Sequence, residues 1–152
     1  MVAWEANGFV RSTCRQWLLE RIRDQAPSAA AVLRNEPREI LDQSIYLGDT
    51  TGTVDYPVFA PNLPRQDDFT VIVVCEAFYA ADDAGEAEAR CEALAQAVMD
   101  AVSANPQDTL EINGSIDVTI SNVDGPDPVP TPEGYGAVMT VAVDFRTRIV
   151  NP

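Results

Sequence analysis

The chain has 152 residues, of which 46% are hydrophobic, and its formal net charge at pH 7 is −14. All 10 of its basic residues are Arg, against 24 Asp and Glu. It therefore lacks the His and Lys side chains that usually carry acid–base chemistry at neutral pH, and it repels nucleic-acid phosphate. This composition argues against catalysis and tight nucleic-acid binding, and it indicates one globular domain (1–152) that acts through shape and contact.

The charge is distributed unevenly along the chain. Residues 1–66 hold eight acids and seven Arg and carry about −1, whereas residues 67–152 hold 16 acids and three Arg and carry −13. A near-neutral part with most of the arginines therefore adjoins a strongly acidic part. No stretch reaches the roughly 18 apolar residues that a membrane-spanning segment needs, so no membrane association is expected.

The first periodic segment runs from about Gly8 to Gln25 and predicts an amphipathic N-terminal helix within residues 1–27, which Pro27 closes. Its apolar side is formed by Phe9, Val10, Cys14, Trp17, Leu18 and Ile22. Its basic outer side is formed by Arg11, Arg15, Arg21 and Arg23.

Residues 29–66 give a weaker signal. Ala29–Arg34 and Ile45–Leu47 predict two short strands. Gly48–Gly52 has the composition of a turn, and prolines recur as far as Pro64, so residues 48–66 are predicted to form a projecting surface loop. Long irregular segments are commonly functional, and we expect this one to reach towards a neighbouring molecule.

The next two elements have clear patterns. Phe69–Tyr79 is rich in β-branched and aromatic residues and predicts a long strand with one apolar face. Asp83 and Glu86 have the spacing of a capping box, and they begin a helix that we expect to end near Asn105. The buried stripe of this helix is formed by Ala87, Cys91, Leu94, Val98 and Val102.

Ser115–Val123 and Gly134–Ile149 alternate apolar and polar residues and predict two paired strands. Four prolines between them predict that residues 124–133 form a second projecting loop, the large tip of a hairpin. The predicted fold class is α+β: an antiparallel β-sheet of about four main strands with two α-helices packed on one face.

Acids and cysteines are the residues of this chain that could carry out chemistry. The adjacent acids Asp67–Asp68 and Asp82–Asp83 are explained by the start of a strand and the start of a helix. Cys14, Cys75 and Cys91 fall on apolar faces, and the chain offers no His partner to activate them. The sequence therefore predicts no catalytic, cofactor-binding or metal-binding residues, and no cofactor.

The outward face of the predicted sheet is the most suggestive surface. Arg146 and Arg148 lie at alternate positions of the last strand and are two of the three arginines in the acidic part. Cross-strand charge pairing on a solvated face explains them, and so does a subunit interface or channel lining. Both interpretations stay open. The same face is predicted to hold Thr70, Glu76, Asp117, Thr119, Ser121, Thr140 and Asp144.

In the order and texture of its elements, the chain over residues 29–150 resembles the tail terminator (tail completion) proteins of long-tailed bacteriophages. After the N-terminal helix, the stretches that carry the resemblance are Ile45–Gly48, Arg65–Phe69 leading into Val71–Val74, Gly85–Arg90 continuing to Val102, Asn113–Val118 and Gly136–Arg146. The resemblance implies a structural virion protein without enzymatic activity. Such a protein assembles as a hexameric ring on the last ring of the tail tube, stops tube growth and joins the tail to the capsid connector.

The resemblance also implies a place and partners. The place is the head-proximal end of the virion tail, after assembly in the host cytoplasm, with the ring formed in solution or only on the tail. The partners are further copies of the chain, the tail tube protein and the capsid connector protein, with DNA passing through an acidic channel without specific binding. The residues predicted for these contacts are Arg11, Arg15, Arg21, Arg23, Asp49, Thr50, Thr53, Tyr56, Asp127, Glu133, Arg146 and Arg148.

Other functions stay open at this point. One is a head-side connector adaptor or stopper, which uses the same ring physics. Another is a small enzyme that works with carboxylates alone, and a third is an acidic binding module that mimics nucleic-acid charge.

Overall fold

The computed structural model describes residues 10–55, 65–79, 83–103 and 114–149. Within these ranges the chain forms two helices and five strands. They are α1 (Arg11–Gln25), β1 (Ala31–Leu33), β2 (Gln43–Asp55), β3 (Arg65–Tyr79), α2 (Ala84–Val102), β4 (Gly114–Thr131) and β5 (Gly134–Ile149). The predicted α+β class is confirmed.

The strands form one sheet in the order β1-β2-β3-β5-β4. All neighbouring pairs are antiparallel except β1 and β2, which run parallel. The sheet is therefore mixed and has five strands rather than about four. The fifth strand is the short β1, which lies within the predicted short strand Ala29–Arg34 and pairs with β2 from Ala31 to Leu33.

The core lies between one face of the sheet and the two helices. Alternate residues of β3, from Phe69 to Ala77, are buried on this face, as the sequence pattern predicts. The Phe69 ring stacks on Phe145 of β5 at 5.0 Å between centroids, and Trp17 of α1 meets Phe145 edge-on at 6.3 Å. These three aromatic rings join α1 to the two central strands.

Helix α2 lies across β3 and β5 through its apolar stripe. All five predicted stripe residues are buried. The carboxylate of Asp83 accepts a hydrogen bond from the Glu86 backbone N–H at 3.2 Å, which confirms the predicted N-cap. The cap satisfies a backbone donor that the first helical turn leaves unpaired.

The predicted loop 48–66 is wrong for its first part. Strand β2 continues through Gly48 to Asp55, with a bulge between Leu47 and Thr50, and it pairs with β3 along this length. The turn-like composition misled because the strand needs glycine at Gly52, where a Cβ atom would lie 2.6 Å from the Cα of Phe69. Residues 56–64 lie outside the described residues.

The predicted loop 124–133 is also wrong. Strand β4 runs to Thr131 and β5 starts at Gly134, so the hairpin turns at two residues and has no large tip. The prolines are compatible with a strand because β4 is at the edge of the sheet, where a missing N–H need not break a ladder. A bulge between Asp124 and Asp127, with Gly125 at φ 97°, interrupts the pairing before the last prolines.

Candidate assembly surfaces

Arg11 and Arg15, two of the predicted contact residues, are bonded within the chain. Arg11 binds the Asp67 carboxylate, with Nη2 at 2.7 Å from Oδ1 and Nε at 3.0 Å from Oδ2. This bonding is the main reason why the pKa of Arg11 is raised. Arg15 donates through Nη1 to the Gly48 carbonyl at 2.9 Å and to the Thr50 hydroxyl. Both arginines therefore hold α1 on the sheet, and Thr50 is part of the same contact.

Arg21 and Arg23 lie towards the other end of α1. Arg23 is exposed, and its Nη2 donates a long hydrogen bond of 3.4 Å to the Val32 carbonyl of β1. Arg21 is half-buried, and among the described residues its buried Nε has no hydrogen-bond partner. These two guanidinium groups are less committed to the fold than those of Arg11 and Arg15.

Asp49 and Thr53 lie on β2 rather than on a loop. Asp49 is exposed in the bulge of the strand. Thr53 is exposed opposite Asp68, on the face of the sheet that turns away from the helices. Tyr56 lies outside the described residues.

The strand register confirms the predicted outer face of the sheet. Arg146 lies between Asp68 of β3 and Asp117 of β4, but no salt bridge among the described residues involves it or Arg148. Both arginines are exposed. The neighbouring Asp144 is used differently, because its Oδ1 accepts hydrogen bonds from the hydroxyls of Thr70 at 2.6 Å and Ser121 at 3.1 Å.

On this face, the carboxylate of Glu76 accepts a hydrogen bond from a tyrosine. The Tyr46 hydroxyl donates to Glu76 Oε1 at 2.9 Å, and Tyr46 is only 7% exposed. Burial raises the pKa of Tyr46, and the bond to Glu76 raises it further. The segment before β2 also reaches this end of the sheet, where the Asp42 carbonyl accepts from the Phe78 N–H at 2.8 Å.

A cavity of about 300 Å³ opens at the tip of the β4–β5 hairpin. It lies between the turn Thr131–Gly134, the end of β3 and the segment before β2. We call it the hairpin pocket, and its charged and large apolar lining is formed by Ile40, Asp42, Phe78, Tyr79, Glu133 and Tyr135.

The sequence pattern selected only Glu133 of this lining. The Phe78 ring occupies the space that a side chain at Gly136 would fill, since a Cβ there would lie 2.5 Å from the ring. Tyr79 and Tyr135 are direct cross-strand partners. The aromatic residues were visible in the sequence at strand ends, but their convergence follows from a strand register that the sequence does not state. Asp127 is exposed on the same hairpin, outside the pocket.

The three cysteines are buried, and burial raises the pKa of each thiol. The pKa is about 12 for Cys14 and about 12 for Cys91. The Cys91 thiol donates to the Cys75 carbonyl at 3.2 Å. At neutral pH these groups are protonated thiols in the core, which is a poor state for a nucleophile.

The described residues contain neither a group of side chains arranged to hold a metal ion nor a helix suited to cross a membrane. No group of three or more His, Cys, Asp or Glu in this part of the chain is arranged to hold a metal ion. No helix within the same ranges combines the length and apolar character needed to cross a bilayer.

Comparison with known proteins gives a likeness to a solved structure. No protein-family model matches the chain, and no curated protein matches it. Among solved structures, the chain is similar to a chain of the virion of a native gene transfer agent (GTA) particle, with 18% identity and a TM-score of 0.52. The likeness covers 93% of this chain and 97% of that chain. At this identity it shows a shared fold over nearly the whole of both chains.

Proposed function

We propose that this chain is a structural protein of a phage-like virion, and that it acts there as a tail terminator. It forms a hexameric ring on the last ring of the tail tube, stops tube growth and joins the tail to the capsid connector. The observation that carries this proposal is the fold shared with a GTA virion chain over 93% of this chain and 97% of that one. The proposed location is the head-proximal end of the tail.

The charge of the chain supports a DNA-conducting ring. Each copy carries −14, and a closed ring multiplies this charge around one channel. DNA that passes such a channel meets like charge instead of a basic surface that retains phosphate. The outer sheet face adds acids to this charge at Asp68, Asp117 and Asp124.

The way the fold uses its polar groups supports a contact role. Asp67 is neutralised by Arg11, Asp144 accepts two hydroxyl hydrogen bonds and Glu76 accepts one from Tyr46. These carboxylates have structural partners, and the thiols are held protonated. For contacts with other molecules, the surface presents charge, which is carried by exposed arginines and acids.

A closed ring needs two different surfaces on each copy, because its contacts are head-to-tail. Arg21 and Arg23 on α1, and Arg146 and Arg148 on β5, are the arginines we assign to contacts between copies. Arg11, Arg15 and Thr50 act behind this surface by holding α1 in place. We assign contacts with the tail tube or the connector to Asp49, Thr53, Tyr56, Asp127 and Glu133.

The function is tested in cells that produce the particle to which this chain belongs. Inactivation of its gene should give tails of uncontrolled length that do not join to capsids, as seen by electron microscopy. Purified protein should restore defined length and joining when it is added to the extract. Tails of normal length in the mutant would contradict the terminator function.

A binding assay separates the terminator from a head-side adaptor. Purified protein is mixed with tail tubes or with DNA-filled capsids, and each mixture is sedimented. A terminator co-sediments with tubes in the absence of capsids, whereas an adaptor co-sediments with capsids in the absence of tubes. The protein alone is analysed in parallel to establish whether a ring forms without the tube.

A further inference from the structure

We propose that the hairpin pocket binds an arginine side chain of a neighbouring copy of this chain, supplied by Arg146 or Arg148. This proposal rests on the proposed ring and deepens it, because it assigns both halves of one contact. Neither the shared fold nor the charge of the chain specifies this pairing.

The lining of the pocket fits a cation. Two carboxylates, Asp42 and Glu133, lie among aromatic side chains that include Phe78 and Tyr135. Aromatic faces attract cations through their quadrupole, and carboxylates accept the N–H groups of a guanidinium in pairs. Ile40, which is 74% exposed at the rim, adds an apolar surface for the methylene stem of a long side chain.

The molecule already holds one guanidinium in this way. Arg90 lies over the Tyr79 ring at 4.4 Å from its centroid, and its Nε donates to Glu86 Oε1 at 3.1 Å. A ring and a carboxylate thus fix an arginine beside the pocket, because Tyr79 is also part of the pocket lining. The pocket repeats the same combination of groups, and no described arginine lines it.

The composition of the chain limits which side chain of a second copy can occupy the hairpin pocket. Since the chain has no Lys, a basic side chain from a second copy must be an Arg. Several arginines are committed to contacts inside the fold: Arg11, Arg15, Arg34 and Arg90. Arg146 and Arg148 are exposed and form no salt bridge within the described ranges.

The position of these two arginines makes the contact intermolecular. The pocket lies at Gly134, where β5 begins, and Arg146 follows 12 positions later in the same strand. At about 3.3 Å per residue, the two sites are separated by about 40 Å, which no side chain bridges. A receptor at one end of a subunit and its ligand at the other end are what a head-to-tail ring requires.

Two surface variants test the pairing. In the pocket variant, Asp42→Asn and Glu133→Gln remove the acids and keep the shape. In the arginine variant, Arg146→Gln and Arg148→Gln remove the ligand. The control variant, Glu92→Gln and Asp124→Asn, removes two exposed acids that do not line the pocket. Circular dichroism and thermal unfolding establish that all three fold.

The assembly of these variants is followed by analytical ultracentrifugation over a range of protein concentrations. The pocket variant and the arginine variant should each need at least tenfold more protein than the wild type to associate. Mixed together, they should form complexes of one copy of each and stop there, because each pair has a single functional contact. The control variant should assemble like the wild type.

A second measurement covers the case in which the wild type is monomeric in solution. A peptide with the sequence of residues 143–149 is titrated into the protein, and the aromatic resonances of Phe78 and Tyr135 are followed by NMR. The peptide should shift these resonances in the wild type and in the control variant, but not in the pocket variant. Replacing both arginines of the peptide by lysine should weaken binding, because lysine lacks the planar fork.

The outcomes separate this proposal from the proposed function. If the pocket variant assembles, or binds the peptide, as the wild type does, the pocket contact is overturned and the ring remains. The pocket contact is also overturned if the peptide does not shift the wild-type resonances and the wild type does not associate. If the copies assemble through the pocket but do not bind tail tubes, the terminator function is overturned and the pocket contact stands.

Discussion

Arg11 and Asp67 form a two-pronged ion pair between helix α1 and the start of strand β3, with Nη2 and Oδ1 2.7 Å apart. The Asp67 carboxylate is completely buried, whereas 26% of the Arg11 side chain is exposed. The guanidinium also lies 5.3 Å from the centroid of the Phe69 ring. This pair therefore fixes the start of α1 against the central strands.

Removal of Arg11 should destabilise the protein strongly. Arg11→Met leaves a buried carboxylate without its countercharge, and breaking such pairs costs about 3–5 kcal/mol when both partners are buried. Because Arg11 is partly exposed and solvent screens it, we expect a loss of about 2–3 kcal/mol in the free energy of unfolding. Urea unfolding followed by circular dichroism measures it.

The matched double variant shows whether the buried charge is the cause. Arg11→Met with Asp67→Leu removes both charges, and it should recover most of the loss, because no ion is then left in the core. If the double variant is no more stable than Arg11→Met alone, the loss comes from packing and not from the unpaired carboxylate.

Gly52 is predicted to be essential for the pairing of β2 with β3. A Cβ at this position would collide with the backbone of β3, at the Asp68 carbonyl and the Phe69 Cα. Gly52→Ala should therefore lower the free energy of unfolding by about 1–3 kcal/mol, as overpacking does. Thr51→Ala, at the exposed neighbouring position, is the control and should cost less than about 1 kcal/mol. Equal losses for the two variants would contradict the close approach.

Alkaline pH should destabilise the fold through the three thiols. Their folded pKa values are raised above the ordinary value of 9.0, to about 12 for Cys14 and Cys91. Below pH 9 the thiols are protonated in both the folded and the unfolded state. The stability of the folded state that depends on protonated thiols is therefore fully present there. As the pH rises from 9 towards 12, the unfolded thiols ionise first, so the unfolded state gains stability over the folded state. Each thiol should lower the free energy of unfolding by up to about 1.4 kcal/mol per pH unit.

The pH effect is measured by urea unfolding at intervals between pH 7 and 11. The contribution of the thiols to the free energy of unfolding should not change with pH near neutrality. The free energy of unfolding should fall above pH 9. Cys91→Ala is the matched variant: it is less stable at pH 7 because of a small cavity, but its decline above pH 9 should be shallower. The same slope in both proteins would show that the Cys91 thiol does not contribute.

Periodicity in the sequence predicts the elements that bury one clean face. The alternation of β3 and β5 and the stripe of α2 are strong because each apolar residue there faces the same core. The second half of β2 and the end of β4 lack such a periodic apolar pattern. Gly52, Pro128 and Pro130 have low strand propensity, and these segments are strands because neighbouring strands pair with them.

The candidate site was predictable only as separate groups. Glu133 and the pair Arg146 and Arg148 stand out by charge alone. The meeting of Phe78 with Glu133 depends on the register of β3 with β5, and Asp42 joins them through a backbone hydrogen bond to Phe78. Such long-range pairing leaves no periodic signal along the chain.

The prolines of β4 explain how its open edge stays unpaired. Val129 pairs with Gly136, and Pro128 and Pro130 on either side have no N–H to donate. The ladder bonds to β5 must then come from Val129, and the two prolines turn their nitrogen and carbonyl groups to the open edge. This part of the edge therefore presents acceptors without donors, which is a poor template for another strand.

Restoring the backbone N–H donors should allow this edge to pair with the edge strand of another copy. Pro128→Val with Pro130→Val adds two outward N–H groups and leaves the ladder to β5 intact, so the free energy of unfolding should change by less than about 1 kcal/mol. The variant should nevertheless form larger species in static light scattering at concentrations where the wild type does not, because edge strands with complete donors pair with one another. Pro132→Ala is the control, since this proline lies in the turn beyond β4 and its loss adds no donor to the strand edge. A double variant that scatters light like the control would show that the prolines do not protect the edge, and that charge repulsion between the −14 chains is sufficient.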